Sequence, residues 1–180
     1  MMPNFMAGNQ QQQGGQQKGG DAYEDLEAYI DKTKIQCLNE DPNFPLDSAL
    51  FDKSRNIYLK SDCDEQLVIQ IGFNTAVRLH HIVFRSPDDA SAPDHIKLFI
   101  NQQNLDFDNC ENGVAIQEID LTDADLKGQT DLRYVKFQNV KHLTIYVQSN
   151  KGSEFTKLSQ IRLFGQTIHE TNMNNLKKSG

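Results

Sequence analysis

The densest group of side chains that could do chemistry lies in residues 61–66, which read Ser-Asp-Cys-Asp-Glu-Gln. Asp62, Asp64 and Glu65 place three carboxylates within four positions, and carboxylate oxygens are typical ligands of calcium. Calcium needs about six to eight oxygen ligands, however, and no loop glycine or glutamate follows at EF-hand spacing. The sequence therefore favours a solvated loop whose side chains cap backbone N–H groups, with cation binding as the alternative.

Histidines and cysteines are the other candidates for catalysis, redox chemistry or metal binding. The chain contains five histidines and three cysteines: His80, His81, His95, His142, His169, Cys37, Cys63 and Cys110. No G-x-S-x-G elbow, H-E-x-x-H helix or glycine-rich phosphate loop accompanies them. The cysteines form no C-x-x-C pair, which argues against a dithiol redox centre and a tetrahedral zinc site. We therefore expect no catalytic residue, no metal, no cofactor and no enzymatic activity.

Residues 132–140 carry side chains suited to binding a partner. Their alternation predicts a strand with Val135 and Phe137 on the core side. The opposite side of this strand then carries Tyr134, Lys136 and Gln138, and the cation Arg133 directly precedes Tyr134 in the sequence. An exposed tyrosine beside cations is typical of protein interfaces, so these four residues are the predicted partner-binding site. A cross-strand pair that stabilises the sheet is the alternative.

Charge restricts the class of partner. The chain has 25 acidic and 18 basic residues, and its net charge of −7 argues against a general nucleic-acid binder. No apolar run approaches the roughly 18 residues of a membrane span. Residues 101–126 contain seven acidic residues and no lysine or arginine, whereas residues 133–162 contain six basic residues and one glutamate. This asymmetry favours steering towards a protein of complementary charge, with solvated faces as the alternative.

Strands are the elements that must position these groups. Alternating apolar residues predict strands over residues 67–73, 77–84, 96–100, 143–147 and 158–164. The apolar phase shifts between Leu79 and Ile82, which predicts a bulge near His80 and His81. Few helical patterns interrupt the strands, so βαβ units are not expected. We predict an all-β antiparallel sandwich or jelly roll.

The N-terminal region is predicted to contain a disordered leader and a short helix. Residues 1–20 are rich in glutamine and glycine and have little to bury, which is typical of disorder. Asp21 and Glu24 then have capping-box spacing. A helix of about two to three turns is predicted by the apolar spacing of Tyr23, Leu26, Tyr29 and Ile30.

Five segments in order resemble the PITH domain family, the proteasome-interacting module of thioredoxin-like protein 1 and its relatives. They are residues 37–40 (Cys-Leu-Asn-Glu), 65–67 (Glu-Gln-Leu), 132–140, 143–150 and 171–174 (Thr-Asn-Met-Asn). The resemblance spans about residues 21–178, which we take as the PITH domain. It implies a jelly-roll β-sandwich similar to galactose-binding-like domains.

The resemblance also implies a function. It implies a non-catalytic interaction module that associates with the 26S proteasome. The missing C-x-x-C pair argues against the oxidoreductase activity that the name of the family's thioredoxin-like members suggests. We expect a cytoplasmic monomer, with the nucleus as a second compartment, and no nucleic-acid or membrane partner. Binding of a small ligand or carbohydrate is the alternative, from fold analogy alone. The absence of tryptophan, a favoured platform for sugar stacking, argues against it.

Overall fold

The computed structural model describes residues 22–54 and 56–168. The predicted leader and the motif at residues 171–174 lie outside these residues. The strands in this part of the chain are β1 (Glu24–Asp25), β2 (Ile30–Leu38), β3 (Leu59–Lys60), β4 (Leu67–Arg85), β5 (Pro93–Ile100), β6 (Gln117–Asp120), β7 (Thr130–Asp131), β8 (Val140–Asn150), β9 (Lys157–Leu158) and β10 (Gln160–Thr167). The helices are α1 (Leu46–Phe51), α2 (Phe107–Asn112), α3 (Asp123–Lys127) and the 3-10 turns Glu27–Tyr29 and Tyr134–Lys136. None of these described helices is long and apolar enough to cross a membrane.

The 19-residue strand β4 connects the two layers of the sandwich. Its first half, residues 67–73, pairs antiparallel with β2 on one side and β8 on the other, and the ladder continues from β8 to β5 and β6. Its second half, residues 77–85, pairs with β10, which in turn pairs with β1, and also with β7. We call β2–β4–β8–β5–β6 sheet I and β1–β10–β4–β7 sheet II.

An apolar core lies between the two sheets. Ile69, Ile71 and Ile145 of sheet I and Leu79 and Leu163 of sheet II are all buried in one cluster. Successive side chains of a strand point to opposite faces, so the alternating residues of the sequence line this core. The strand predictions for these segments are confirmed.

The predicted bulge near His80 and His81 is confirmed. Phe164 of β10 pairs with His81 of β4, whereas the next residue, Gly165, pairs with Leu79, so His80 is the extra residue. A Cβ on Gly165 would lie 1.8 Å from the Arg78 carbonyl oxygen. Only glycine therefore allows β10 to approach β4 at this point.

Alternation did not predict that part of sheet I, around Tyr146, is buried on both faces. Val68, Phe99 and Tyr146 point away from the central core, yet they are buried with Cys110 of α2. The Tyr146 hydroxyl donates to Glu111 Oε2 at 2.7 Å, which fixes α2 on the sheet. The covering helix comes from a different part of the chain, so a local pattern does not contain it.

The predicted N-terminal helix is present only as the 3-10 turn Glu27–Tyr29. Glu24 lies in β1 opposite Gly165, and Ile30 begins β2. The Leu26 N–H donates to the Leu163 carbonyl oxygen at 2.8 Å, which draws the segment onto the edge of sheet II. A helix of two to three turns is marginal in water, so pairing with an existing sheet edge prevails.

Candidate functional site

The predicted strand at residues 132–140 is wrong except at Val140, which begins β8. Tyr134–Lys136 forms a 3-10 turn, closed by the Lys136 N–H donating to the Arg133 carbonyl oxygen at 2.8 Å. Phe137 is buried as predicted, but Val135 is 82% exposed and does not face the core. These residues connect β7, which pairs with the second half of β4, to the start of β8. The connection is a turn.

The four predicted contact residues take different positions on this turn. Arg133 and Lys136 are exposed, whereas Tyr134 and Gln138 are half-buried. The Gln138 side-chain amide donates to the Tyr134 carbonyl oxygen at 2.6 Å and therefore stabilises the turn from within. Arg133, Tyr134 and Lys136 lie on one short turn, together with Val135 at its apex. We call residues 133–136 the apical turn.

The apical turn packs against aromatic rings that the sequence analysis did not include in the site. Tyr23 stacks on His80 with ring centroids 3.7 Å apart, and Tyr134 meets both rings at 6.0 and 5.6 Å. His81 stacks on Phe164 at 4.7 Å. These five rings form the aromatic patch. The predicted bulge was its only sequence signal, because a bulge turns two adjacent side chains away from the core.

A hydrogen bond joins the two histidines of the aromatic patch. The Nδ1 atoms of His80 and His81 are 2.9 Å apart, so one ring donates its proton and the other accepts it. Protonating the second ring would bring two N–H groups head to head. Burial lowers the pKa of His81 from its ordinary value and His80 lowers it further, although Asp131 opposes the shift. The patch therefore favours the neutral form of His81.

The cations of the apical turn are available to a partner. Within the described part of the chain, Arg133 and Lys136 form no ion pair. Other cations of the predicted basic segment are engaged inside the fold, since Lys151 pairs with Asp123 and Arg162 pairs with Asp25. Folding thus neutralises part of the charge asymmetry that the sequence suggests and leaves the turn positively charged.

Asn39, which directly follows β2, holds the acidic loop at residues 61–66 in place through its side chain. The Asn39 side-chain amide donates to Asp64 Oδ1 at 2.9 Å and to the Gln66 carbonyl oxygen at 2.7 Å, while its Oδ1 accepts the Cys63 N–H at 3.0 Å. Asn39 has φ 68°, a left-handed conformation that asparagine tolerates. Among the described residues, no group of three or more His, Cys, Asp or Glu is arranged to hold a metal ion. The loop acts as a capped strand entry.

Comparison with protein-family models gives a match to the PITH domain over residues 16–180. The chain belongs to the PITH domain family. It is 37% identical to Thioredoxin-like protein 1 of Schizosaccharomyces pombe over 160 residues, a match that covers 85% of this chain and 55% of that protein. It is 32% identical over 148 residues to PITH domain-containing protein 1 of Homo sapiens, covering 76% of this chain and 67% of that protein. The name PITH domain-containing protein indicates no catalytic family.

Solved structures confirm the predicted jelly roll of the galactose-binding-like type. The PITH domain is similar to the family 32 CBM of NanJ from Clostridium perfringens in complex with galactose, with a TM-score of 0.60 and 9% identity over 79% of this chain and 98% of that one. It is also similar to CBM32 domains of ZmpB from Clostridium perfringens in complex with GalNAc, with a TM-score of 0.62 and 9% identity over 81% of this chain and 36% of that one. At such low identity the likeness concerns the fold alone.

The three cysteines of this PITH domain lie in different elements, with Cys37 in β2, Cys63 in the loop before β4 and Cys110 in α2. All three are free thiols, and only Cys63 is exposed. Burial raises the pKa of the Cys110 thiol to about 11, and burial also raises the pKa of Cys37 well above its ordinary value. Both buried thiols therefore stay protonated at neutral pH and serve as small apolar groups in the core.

Proposed function

We propose that this PITH domain is a non-catalytic interaction module that docks on a protein assembly through the apical turn and the aromatic patch. The observation that supports this most directly is the 82% exposure of Val135, at the tip of a turn that also carries two cations without ion pairs in the described structure. A branched apolar side chain held out by a hydrogen-bonded turn is poorly placed for the protein's own core. It is well placed to enter a pocket on a partner.

The composition of this surface matches that of protein interfaces. Tyrosine and arginine are enriched among the residues that contribute most to binding, and here Tyr134 and Arg133 are adjacent. The rings of Tyr23, His80 and Tyr134 pack against one another, so the surface loses little side-chain freedom when a partner covers it. Arg133 and Lys136 would form a positive rim that accelerates encounter with an acidic partner.

For the partner we propose the 26S proteasome, following the resemblance of residues 132–140 and 143–150 to the proteasome-interacting module. The module would act in the cytoplasm or the nucleus, as a monomer and without a cofactor. Its activity would lie in positioning, because the two buried thiols stay protonated and provide no activated nucleophile.

Affinity capture tests this proposal. The full chain, tagged at its C-terminus, is incubated with purified 26S proteasome at low and at physiological salt. Arg133→Glu with Lys136→Glu is expected to reduce capture about tenfold, since two favourable charges are reversed. Lys53→Glu with Lys127→Glu is the matched control, because both lysines are exposed and lie outside the turn, and the ion pair of Lys53 with Glu27 at 3.8 Å is a solvated surface contact that contributes little. Equal capture by the two double variants would exclude the apical turn, and no capture by the unmodified chain would exclude the partner.

Carbohydrate binding is the second candidate, supported by the likeness to CBM32 domains solved with galactose and GalNAc. Titration of galactose and GalNAc into the labelled protein, followed by NMR, tests it directly. Specific shifts confined to one group of residues would support a saccharide site. Unchanged spectra at millimolar sugar would exclude these two ligands.

A further inference from the structure

Two adjoining cavities form a trough on the outer face of sheet I, beside the loop that leads into α2. Their volumes are about 280 and 630 Å³, and both are lined by Lys34 and His142. The smaller cavity lies over a row of cross-strand neighbours, Gln36, Gln70 and Thr144. The larger one extends past the start of β8. We call the two together the amide trough.

The lining of the amide trough differs in charge from the rest of the protein. The chain has 25 acidic residues, yet no aspartate or glutamate is among the described residues that line either cavity. Lys34 and Lys141 supply positive charge, and Lys141 forms no ion pair within the described residues. Asp31 Oδ2 lies 3.5 Å from Lys34 Nζ, and both side chains are partly exposed. A ligand carboxylate can therefore replace this contact.

Side-chain amides provide most of the remaining polar groups. They belong to Gln36, Gln70, Gln102, Gln103, Asn104, Asn74 and Asn139. Each amide carries a donor and an acceptor, which is the combination that a peptide main chain requires. The trough thus combines amides for the main chain of a ligand with lysines for its carboxylates.

The trough is already formed in the free protein. The loop at residues 101–104 forms one wall of the trough and is held to β8 by Asn101. The Asn101 Oδ1 accepts the Lys141 N–H at 2.8 Å. The Gln103 side-chain amide donates to His142 Nε2 at 3.0 Å, and the Gln70 amide donates to the Leu105 carbonyl oxygen at 2.7 Å. A Cβ on Gly72 would lie 2.6 Å from Lys34 Cβ, so the glycine allows Lys34 to cross the floor of the trough. Little ordering is therefore left for a ligand to impose.

We propose that the amide trough binds an extended acidic peptide segment of a partner protein. From Thr144 to Asn139 the lining advances by five residues, which corresponds to about 17 Å at the rise of a strand and fits about five residues of an extended peptide. This site goes beyond the docking proposal and uses none of its residues. A protein that docks through the apical turn could use the trough as a second point of contact.

Fluorescence anisotropy with the full chain tests the proposal. The probe is a fluorescein-labelled peptide of alternating glutamate and serine, and the control peptide alternates glutamine and serine. Lys34→Glu with Lys141→Glu is expected to weaken binding of the acidic probe about tenfold. Lys53→Glu with Lys127→Glu carries the same change of charge and should bind like the unmodified chain, as should Arg133→Glu with Lys136→Glu.

NMR of the side-chain amides locates the bound probe. The proposal requires that the Gln36 and Gln103 side-chain signals shift on titration while those of the aromatic patch do not. Equal affinity for the two peptides, undiminished affinity in Lys34→Glu with Lys141→Glu, or shifts at the aromatic patch alone would each overturn it. Failure of proteasome capture would leave these outcomes unaffected, so the two proposals are tested separately.

Discussion

Val135 and Phe137 are two residues apart, and a strand would place both of them in the core, but the structure assigns them opposite roles. Val135 is 82% exposed at the tip of the apical turn, whereas Phe137 is fully buried. Replacing each in turn therefore distinguishes a turn from a strand. The informative pair is Val135→Asp and Phe137→Ala. Val135→Asp would place a charge in the core if residues 132–140 formed a strand, and Phe137→Ala leaves a cavity.

The expected magnitudes follow from burial. Phe137→Ala should lower the free energy of unfolding by about 3–5 kcal/mol, the range for truncating a buried phenylalanine. For a domain of this size that loss corresponds to a fall in Tm of roughly 6–20 °C. Val135→Asp changes only solvated surface and should stay within about 0.5 kcal/mol of the unmodified chain. Val135→Asp should nevertheless reduce capture of the partner, because the apical side chain is the proposed anchor.

Urea unfolding followed by far-UV circular dichroism measures both variants. The unmodified chain and Lys127→Glu, a charge change on the exposed surface of α3, serve as references. A loss of more than about 2 kcal/mol in Val135→Asp would show that Val135 is buried and that the strand prediction was correct. In that case the apical turn would not exist as a docking surface.

Two further predictions concern titratable groups. Burial and the neighbouring His80 lower the pKa of His81 in the folded protein, so the unfolded chain binds this proton at a higher pH. The contribution of His81 to the free energy of unfolding should therefore be fully present above about pH 6.5. It should be lost as the pH falls towards the lower pKa of the folded state. Urea midpoints measured across this range should vary less in His81→Gln, and an equal dependence would contradict the assignment. Ellman's reagent should modify Cys63 alone in the native protein, because Cys37 and Cys110 are buried. Rapid labelling of either buried thiol, detected by mass spectrometry, would disprove their burial.

The strand predictions succeeded where burial depends on a local pattern. Ile69 and Ile71 alternate with other residues in the sequence, and they face the core because one face of β4 meets sheet II. The same alternation failed to predict the burial of Val68, since α2 covers that face and is distant in the sequence. It also failed at Val135, where the chain changes partner strands between β7 and β8.

The candidate site was only partly predictable for the same reason. Lys136 was expected on an exposed surface from its phase and Arg133 from its charge, and both are exposed, although a turn and not a strand presents them. Tyr23 was predicted to face the core from a helix, but it stacks on His80 at the surface of sheet II. This contact depends on β1 pairing with β10, which no local pattern specifies.

The sequence by itself determined the family and the all-β fold, because ordered motifs and alternating apolar residues are properties of short segments. The tertiary structure decided which segments become neighbours. β4 brings strands from both ends of the chain against one another and so creates the aromatic patch on sheet II and the amide trough on sheet I. Side chains far apart in the sequence form a surface only when long-range pairing is complete, and local patterns carry no record of that pairing.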